Sequence, residues 1–242
     1  MSHQEQQTDM WNEWYHPLIV EFIGPFVLTF AGVGAIILTG DIVAIALAHG
    51  LAIGLFVAAA GHISGGHYNP AVTIGLAVGR KISPEKALAY IAVQVLGAIA
   101  AALVLVAAFD KDKWDPVSLG TPQLGAGFSV GQGLILEAVG TFFLMFVVYG
   151  TAVDHRSSKA VPGLLIGLTI TMDIFFAGGA TGAAVNPARA IGPALVSSTW
   201  TDQWVYWVGP IAGAAIAGAL WAYVLLTPER EAHPGHAPGV AD

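Results

Sequence analysis

Long apolar runs alternate with short polar breaks along this chain, and the runs are longer than the core of a soluble domain requires. A helix crosses the hydrocarbon of a bilayer in about 20 mostly apolar residues. Six stretches reach that length: Pro17–Gly40, Ile42–His62, Pro84–Ala108, Val130–Val153, Val161–Ala177 and Gln203–Leu226. Aromatic residues gather at their ends, with Trp11, Trp14 and Tyr15 before the first and Trp200, Trp204 and Trp207 at the last. Such amphipathic rings suit the boundary between lipid and water. Two further apolar segments, Pro70–Val78 and Pro187–Val196, have about half the spanning length. Backbone at membrane depth must satisfy its own hydrogen bonds or line a watery cavity. Each short segment therefore reads as a re-entrant half-helix, and the pattern predicts an all-α membrane protein of six transmembrane helices plus two half-helices.

The chain also repeats itself. Glu21-Phe22-Ile23-Gly24 is matched 116 positions on (21 to 137) by Glu137-Ala138-Val139-Gly140, and Gly97 by Gly213. Ser64-Gly65 through Asn69-Pro70-Ala71 to Ile74-Gly75 is matched 117 positions on (64 to 181) by Thr181-Gly182 through Asn186-Pro187-Ala188 to Ile191-Gly192. Three anchors at spacings of 116 or 117 indicate duplication. Each half holds three spans, an odd number, so the second half enters from the opposite side and the repeats are inverted. The division expected is a polar N-terminal segment 1–16, a channel-sized unit 17–226 with repeats at about 17–108 and 130–226, and a Pro-, Gly- and His-rich tail 227–242 read as disordered. The segment 1–16 lacks the basic-then-apolar order of a cleaved signal peptide. With the N-terminus inside, Arg80, Lys81, Lys86, Arg156, Lys159 and Arg230 lie inside, against Lys111 and Lys113 outside. That bias places both termini in the cytoplasm, and the cell membrane is the expected host.

Composition narrows the function. Charged residues make up 10% of the 242, against 55% hydrophobic; roughly 25% charge is usual in soluble domains. The net charge of −7 sits largely in tails and loops. With 9 Lys and Arg and no basic patch, nucleic-acid binding is disfavoured. The absence of Cys excludes disulfides and thiolate metal sites. No nucleophile–base pair or metal set stands out, so an enzyme is not expected, and neither a cofactor nor a metal is implied. His233 and His236 lie in the tail without a third ligand and read as solvated linker.

The chemistry lies in the apolar segments. Pro suits the first helical position, whose N–H has no intrahelical partner, and Asn is a good cap before it. If backbone holds the Asn side chain, its amide N–H groups can face a lumen. Arg189 is the only Lys or Arg between Lys159 and Arg230, and a cation buried in a membrane segment is by default functional. Glu21 and Glu137, at matching repeat positions, read as structural acids that accept from the backbone of their own half's re-entrant loop; a proton relay is the alternative. Asp173 adjoins Ile174 but points about 100° away on a helix. It reads as a partner for loop backbone or a neighbouring subunit, or less directly as part of a filter. Glycines at Gly50/Gly54, Gly163/Gly167 and Gly209/Gly213 have the spacing of close helix crossings. His62 reads as a structural hydrogen-bonding residue.

The segments His62-Ile63-Ser64-Gly65-Gly66-His67-Tyr68-Asn69-Pro70-Ala71-Val72-Thr73 and Ala184-Val185-Asn186-Pro187-Ala188-Arg189 resemble the aquaporin, or major intrinsic protein, family, and the resemblance runs over roughly 14–226. It implies six tilted helices and two half-helices meeting at the bilayer centre, one pore per subunit of a homotetramer. Asn69 and Asn186 would form the central constriction. The backbone of Gly65, Gly66, His67 and Tyr68, and of Gly182 to Val185 including Ala184, would line the vestibules. The outer selectivity filter would be His49, Ile174, Ala183 and Arg189. This set resembles the plant tonoplast intrinsic branch, several members of which pass ammonia or urea beside water. Ala190 after Arg189, with Ala194, Tyr206 and Trp207, resembles the water type and not glycerol facilitators, which typically carry Asp after that Arg. The implied function is a passive channel for water and small neutral solutes such as ammonia, excluding protons and ions. A broader urea or glycerol facilitator is the alternative, and a proton-coupled secondary transporter a remoter one.

Overall fold

The computed structural model describes residues 10–157 and 160–226; the expected tail 227–242, with His233 and His236, and most of segment 1–16 lie outside the described residues. Every element among the described residues is helical, and six helices are long and apolar enough to span a membrane. In chain order the α-helices are α1 His16–Thr39, α2 Ile42–Ser64, α3 Pro70–Val78, α4 Pro84–Ala108, α5 Lys111–Trp114, α6 Val130–Val148, α7 Pro162–Thr181, α8 Pro187–Ser197 and α9 Val205–Leu220.

Local chemistry explains the ends. Pro stands at the start of α3, α4, α7 and α8. The side chain of Asp41 accepts from the N–H groups of Val43 and Ala44 at the start of α2, and Ser83 caps α4 through Lys86 N. Ser129 and Gln132 form a reciprocal capping box at α6, satisfying N–H groups that a helix start leaves open. Several helices run past the bounds the apolar pattern predicts. A π-turn, Trp11–Tyr15, extends α1 backwards, whereas the turns Tyr149–Val153 and Trp221–Leu225 complete α6 and α9 within the spans expected. Helix α7 continues to Thr181 rather than stopping at Ala177, because the left-handed Gly182 (φ 85°) closes it with its N–H on Gly178 O. The segment between the halves is partly ordered as well, with α5 leading into a 3-10 turn, Asp115–Gly120.

Packing follows the duplication. Helix α1 crosses α4 and α2, as α6 crosses α9 and α7; α2 meets α7 between the halves. Each half-helix docks on the third spanning helix of the other half, α3 on α9 and α8 on α4. The crossings are too close for a side chain at two repeat-related glycines. A Cβ on Gly97 would lie 2.1 Å from Phe22 O, and one on Gly213 2.0 Å from Ala138 O.

The molecule is apolar outside and polar within. Leu38, Leu55, Leu88 and Ile135 are all more than 60% exposed. On a water-soluble protein such a surface would drive association, whereas lipid accepts it. Glu21, Gln94, Glu137, Asp173, Asn186 and Arg189 are buried. At one end, Arg156 joins the α6–α7 connection to the last turn, donating from Nη2 to Asp154 Oδ2 (2.6 Å) and to Leu225 O (3.0 Å). The hydrogen bonds from Arg156 hold the Asp154 carboxyl down at about 2.

Candidate functional site

The two half-helices meet N-terminus to N-terminus inside the bundle, and the asparagines make the join. Asn69 Oδ1 accepts from Ala71 N (2.9 Å), and its Nδ2 donates to Val185 O in the other half (2.7 Å). Asn186 mirrors it: Oδ1 accepts from Ala188 N and Arg189 N (3.0 and 3.3 Å), and Nδ2 donates to Tyr68 O (2.9 Å). A carboxamide nitrogen carries two N–H bonds. One on each side chain is thus fixed to the opposite loop, which sets where the second points. Tyr68 and Val185, expected to offer vestibule carbonyls, each give one lone pair to the opposite Asn and keep one.

Each loop before a half-helix is shaped by left-handed residues and held by one buried acid. Positive φ occurs at Gly65, Gly66 and Tyr68, and at the matching Gly182, Ala183 and Val185. Such turns leave backbone N–H groups without helical partners, and the glutamates take them. Glu21 accepts from His67 N (2.9 Å), Tyr68 N (2.8 Å) and Ser64 Oγ (2.6 Å). Glu137 accepts from Ala184 N (2.9 Å), Val185 N (2.8 Å) and Thr181 Oγ1 (2.7 Å). The glycine three residues after each Glu receives the loop's tip. A Cβ on Gly24 would fall 2.1 Å from the Tyr68 ring, and one on Gly140 3.0 Å from Val185 Cγ1.

The halves differ in their supports. Gln94 Nε2 bridges Glu21 Oε2 (2.7 Å) and Thr73 Oγ1 (3.0 Å), and Thr73 also contacts His67 Nδ1 (3.2 Å). The corresponding positions of the second half hold Pro210 and Ala190, so the bridge has no counterpart. Asp173 lies instead beside Gly140, its Cγ 3.5 Å from where a Cβ would stand. It is fully buried, and neither carboxyl oxygen has a hydrogen-bond partner among the described residues. His62, expected to bond within the fold, is exposed.

The four residues expected to form an outer filter are each at most 4% exposed. His49 Nδ1 donates to Ile45 O (2.8 Å), which leaves Nε2 as the acceptor of a neutral ring. Arg189 approaches that nitrogen with Nε (3.4 Å) and Nη2 (3.3 Å). Its short contact is elsewhere: Nη1 donates to Gly120 O at 2.7 Å. Ile174 and Ala183 belong to the main apolar cluster with Val185, and bring no polar side-chain atom. Gly120 is absent from the sequence reading, for its contribution is a carbonyl that any residue carries. Gln94 and Thr73 did leave a signal, as polar residues within apolar helices.

Six membrane-length helices in two inverted halves, with two half-helices joined through their asparagines and buried polar side chains around them, define a polytopic membrane protein. The sequence model described as "Major intrinsic protein" matches residues 8–221, and the chain belongs to that family. It is 40% identical over 233 residues to "Aquaporin TIP4-4" of Zea mays, covering 91% of this chain and 89% of that one. It is 44% identical over 214 residues to "Aquaporin NIP1-4" of Oryza sativa subsp. japonica, covering 86% and 76%. The fold matches the X-ray structure of the aquaglyceroporin from Plasmodium falciparum with a TM-score of 0.77 and 26% identity, over 88% of this chain and 97% of that one. The protein is therefore an integral multi-pass membrane channel of the aquaporin type, passive for water or small solutes and not an enzyme.

Proposed function

We propose that this channel conducts water in single file past Asn69 and Asn186 and filters it at His49, Ile174, Ala183 and Arg189, and that ammonia passes beside water. The observation that carries the reading is the mixed wall: Arg189 is pinned by Gly120 O and His49 Nε2, while Ile174 and Ala183 are apolar. The guanidinium N–H bonds that these partners leave over, and the second N–H of each Asn, serve a permeating molecule. A solute must exchange hydration for wall contacts, and each unmatched contact costs about 1–3 kcal/mol. Water relies on several polar contacts. Ammonia, similar in size, has one acceptor lone pair and loses less at an apolar wall. Glycerol, with three hydroxyls to satisfy, crosses much more slowly.

Two half-helix N-termini, each with about half a positive charge, meet where Asn69 and Asn186 stand, and with Arg189 they oppose protons and cations; this is the accepted account of ion exclusion in aquaporin-type pores, applied here to this chain's residues. Each subunit of a homotetramer in the cell membrane holds one such pore, with both termini cytoplasmic and the channel unit at 17–226.

The test is stopped-flow measurement in proteoliposomes. Rapid osmotic water flow should be accompanied by an ammonia-driven rise in internal pH above that of protein-free vesicles. Ile174→His, which restores a polar wall, should lower the ammonia-to-water ratio. Fast water flow without any ammonia-driven pH change would exclude the ammonia pathway.

A further inference from the structure

The shortest hydrogen bond to Arg189 comes from the segment between α4 and α6, far from it in sequence, and from a backbone carbonyl. A carbonyl has no rotamer of its own, so its position is set by the chain on either side. Here that chain is strained. Ser118 (φ 49°), Leu119 (φ 51°) and Gly120 (φ 63°) are all left-handed, a conformation that a single glycine adopts readily and other residues resist. Such backbone persists only where its surroundings over-determine it.

The surroundings of Leu119 do so. Its side chain is fully buried with Val33 of α1 and Ala102 and Leu105 of α4, in an apolar cluster separate from the main core. Gly120 rests on the same Val33: a Cβ there would lie 3.1 Å from both of its methyls. Beyond Gly120 the anchors become polar. Thr121 Oγ1 meets Ser197 Oγ of α8 (3.1 Å), Gln203 Nε2 donates to Pro122 O (3.2 Å), and Gly125 N donates to Ala180 O (2.8 Å). The carbonyl that fixes Arg189 is therefore held between an apolar plug on one side and three hydrogen bonds on the other.

We infer that Leu119 is a positioning residue for solute selection: by plugging into the α1–α4 cluster it holds the left-handed turn that aims Gly120 O at Arg189, and so sets the aperture beside that side chain. The inference rests on the reading of Arg189 as part of the outer filter. Without the Leu119 side chain the turn loses the apolar half of its support and is held from the polar side alone, so Nη1 loses a fixed acceptor and the guanidinium is left more to the longer contacts with His49.

The experiment uses the full-length protein in lipid bilayers, with two readouts. Nitrogen-15 solid-state NMR follows the Arg189 guanidinium, assigned by the resonances that vanish in Arg189→Val. Stopped-flow gives the urea-to-water permeability ratio. Leu119→Ala should merge the separate Nη1 and Nη2 signals of the wild type and raise the ratio several-fold. Leu119→Met, which refills the cluster, should keep both at wild-type values. In an Arg189→Val background Leu119→Ala should add nothing to the ratio. If Leu119→Ala does not assemble, Val33→Ala, which empties the same cluster beneath Gly120, should shift both readouts the same way to a smaller extent. Unchanged guanidinium signals in a folded Leu119→Ala or Val33→Ala protein would overturn the inference. So would an equal rise in the ratio with and without Arg189, which would indicate general loosening. Altered signals with a ratio that neither Leu119→Ala nor Arg189→Val changes would support the positioning role and remove the filter assignment.

Discussion

Arg189 combines two demands that conflict in most side chains. It is buried in a membrane segment, where an unpaired cation is costly, and as part of the proposed filter it must keep donors free for what passes. A guanidinium meets both because it has five N–H bonds in a fixed fork. Nη1 donates to Gly120 O, and Nε and Nη2 face His49 Nε2; in the proposed filter the N–H bonds left over serve the solute. Arg189→Val removes the donors, the charge and much of the bulk together. Urea flux should rise by roughly an order of magnitude as the lost bulk widens the pore at that point, while water flow continues. Cation exclusion should weaken only in part, because the half-helix dipoles remain. Comparing urea, water and sodium fluxes of wild type and variant in the same vesicle preparation checks this. An unchanged solute profile in a folded Arg189→Val protein would place Arg189 outside the constriction.

Among the elements, the half-helices are the most dependent on others. They are short, and the loops before them leave N–H groups that lipid cannot satisfy. Glu137 gathers two of these and the Thr181 hydroxyl; Glu21 gathers two, the Ser64 hydroxyl and Gln94. Glu137→Leu should strip the second half's loop of its acceptor, at about 1–3 kcal/mol for each stranded donor. The yield of folded protein in detergent should fall sharply, and Glu137→Gln should fall between it and wild type. A Glu137→Leu protein that assembles normally and conducts like wild type would refute the structural role. The helix crossings make a parallel prediction. Gly97→Ala and Gly213→Ala each place a methyl about 2 Å from a facing carbonyl, so each should lower thermal stability by roughly 1–3 kcal/mol. A thermal melt in detergent in which either variant matches wild type would show that the helices part freely there.

Over the whole molecule, the duplication explains why much of the architecture is legible in sequence. Glu21 with Glu137, Gly97 with Gly213 and the two Asn-Pro-Ala segments recur because each performs one structural task in each half. The apolar period likewise gives the six spans, since lipid demands an unbroken run. Other features leave no such mark. Helix α7 extends through Gly178-Gly179-Ala180-Thr181 because a backbone cap holds it, although no large apolar residue announces it. The support of Arg189 by Gly120 is a main-chain contact, and main-chain acceptors look alike in every sequence. Asp173 is visible as an oddity, yet its place beside Gly140, with both oxygens unpartnered among the described residues, appears only in three dimensions.

The central claim is that water crosses a static pore, driven by nothing but its own gradient. The most direct test is the initial rate of water efflux from proteoliposomes across a series of osmotic gradients, with and without an imposed proton gradient. The structure predicts a rate that rises linearly with the osmotic difference and does not respond to the proton gradient. A rate that saturates, or that changes with the proton gradient, would instead mean a carrier that alternates between states, and would contradict the channel.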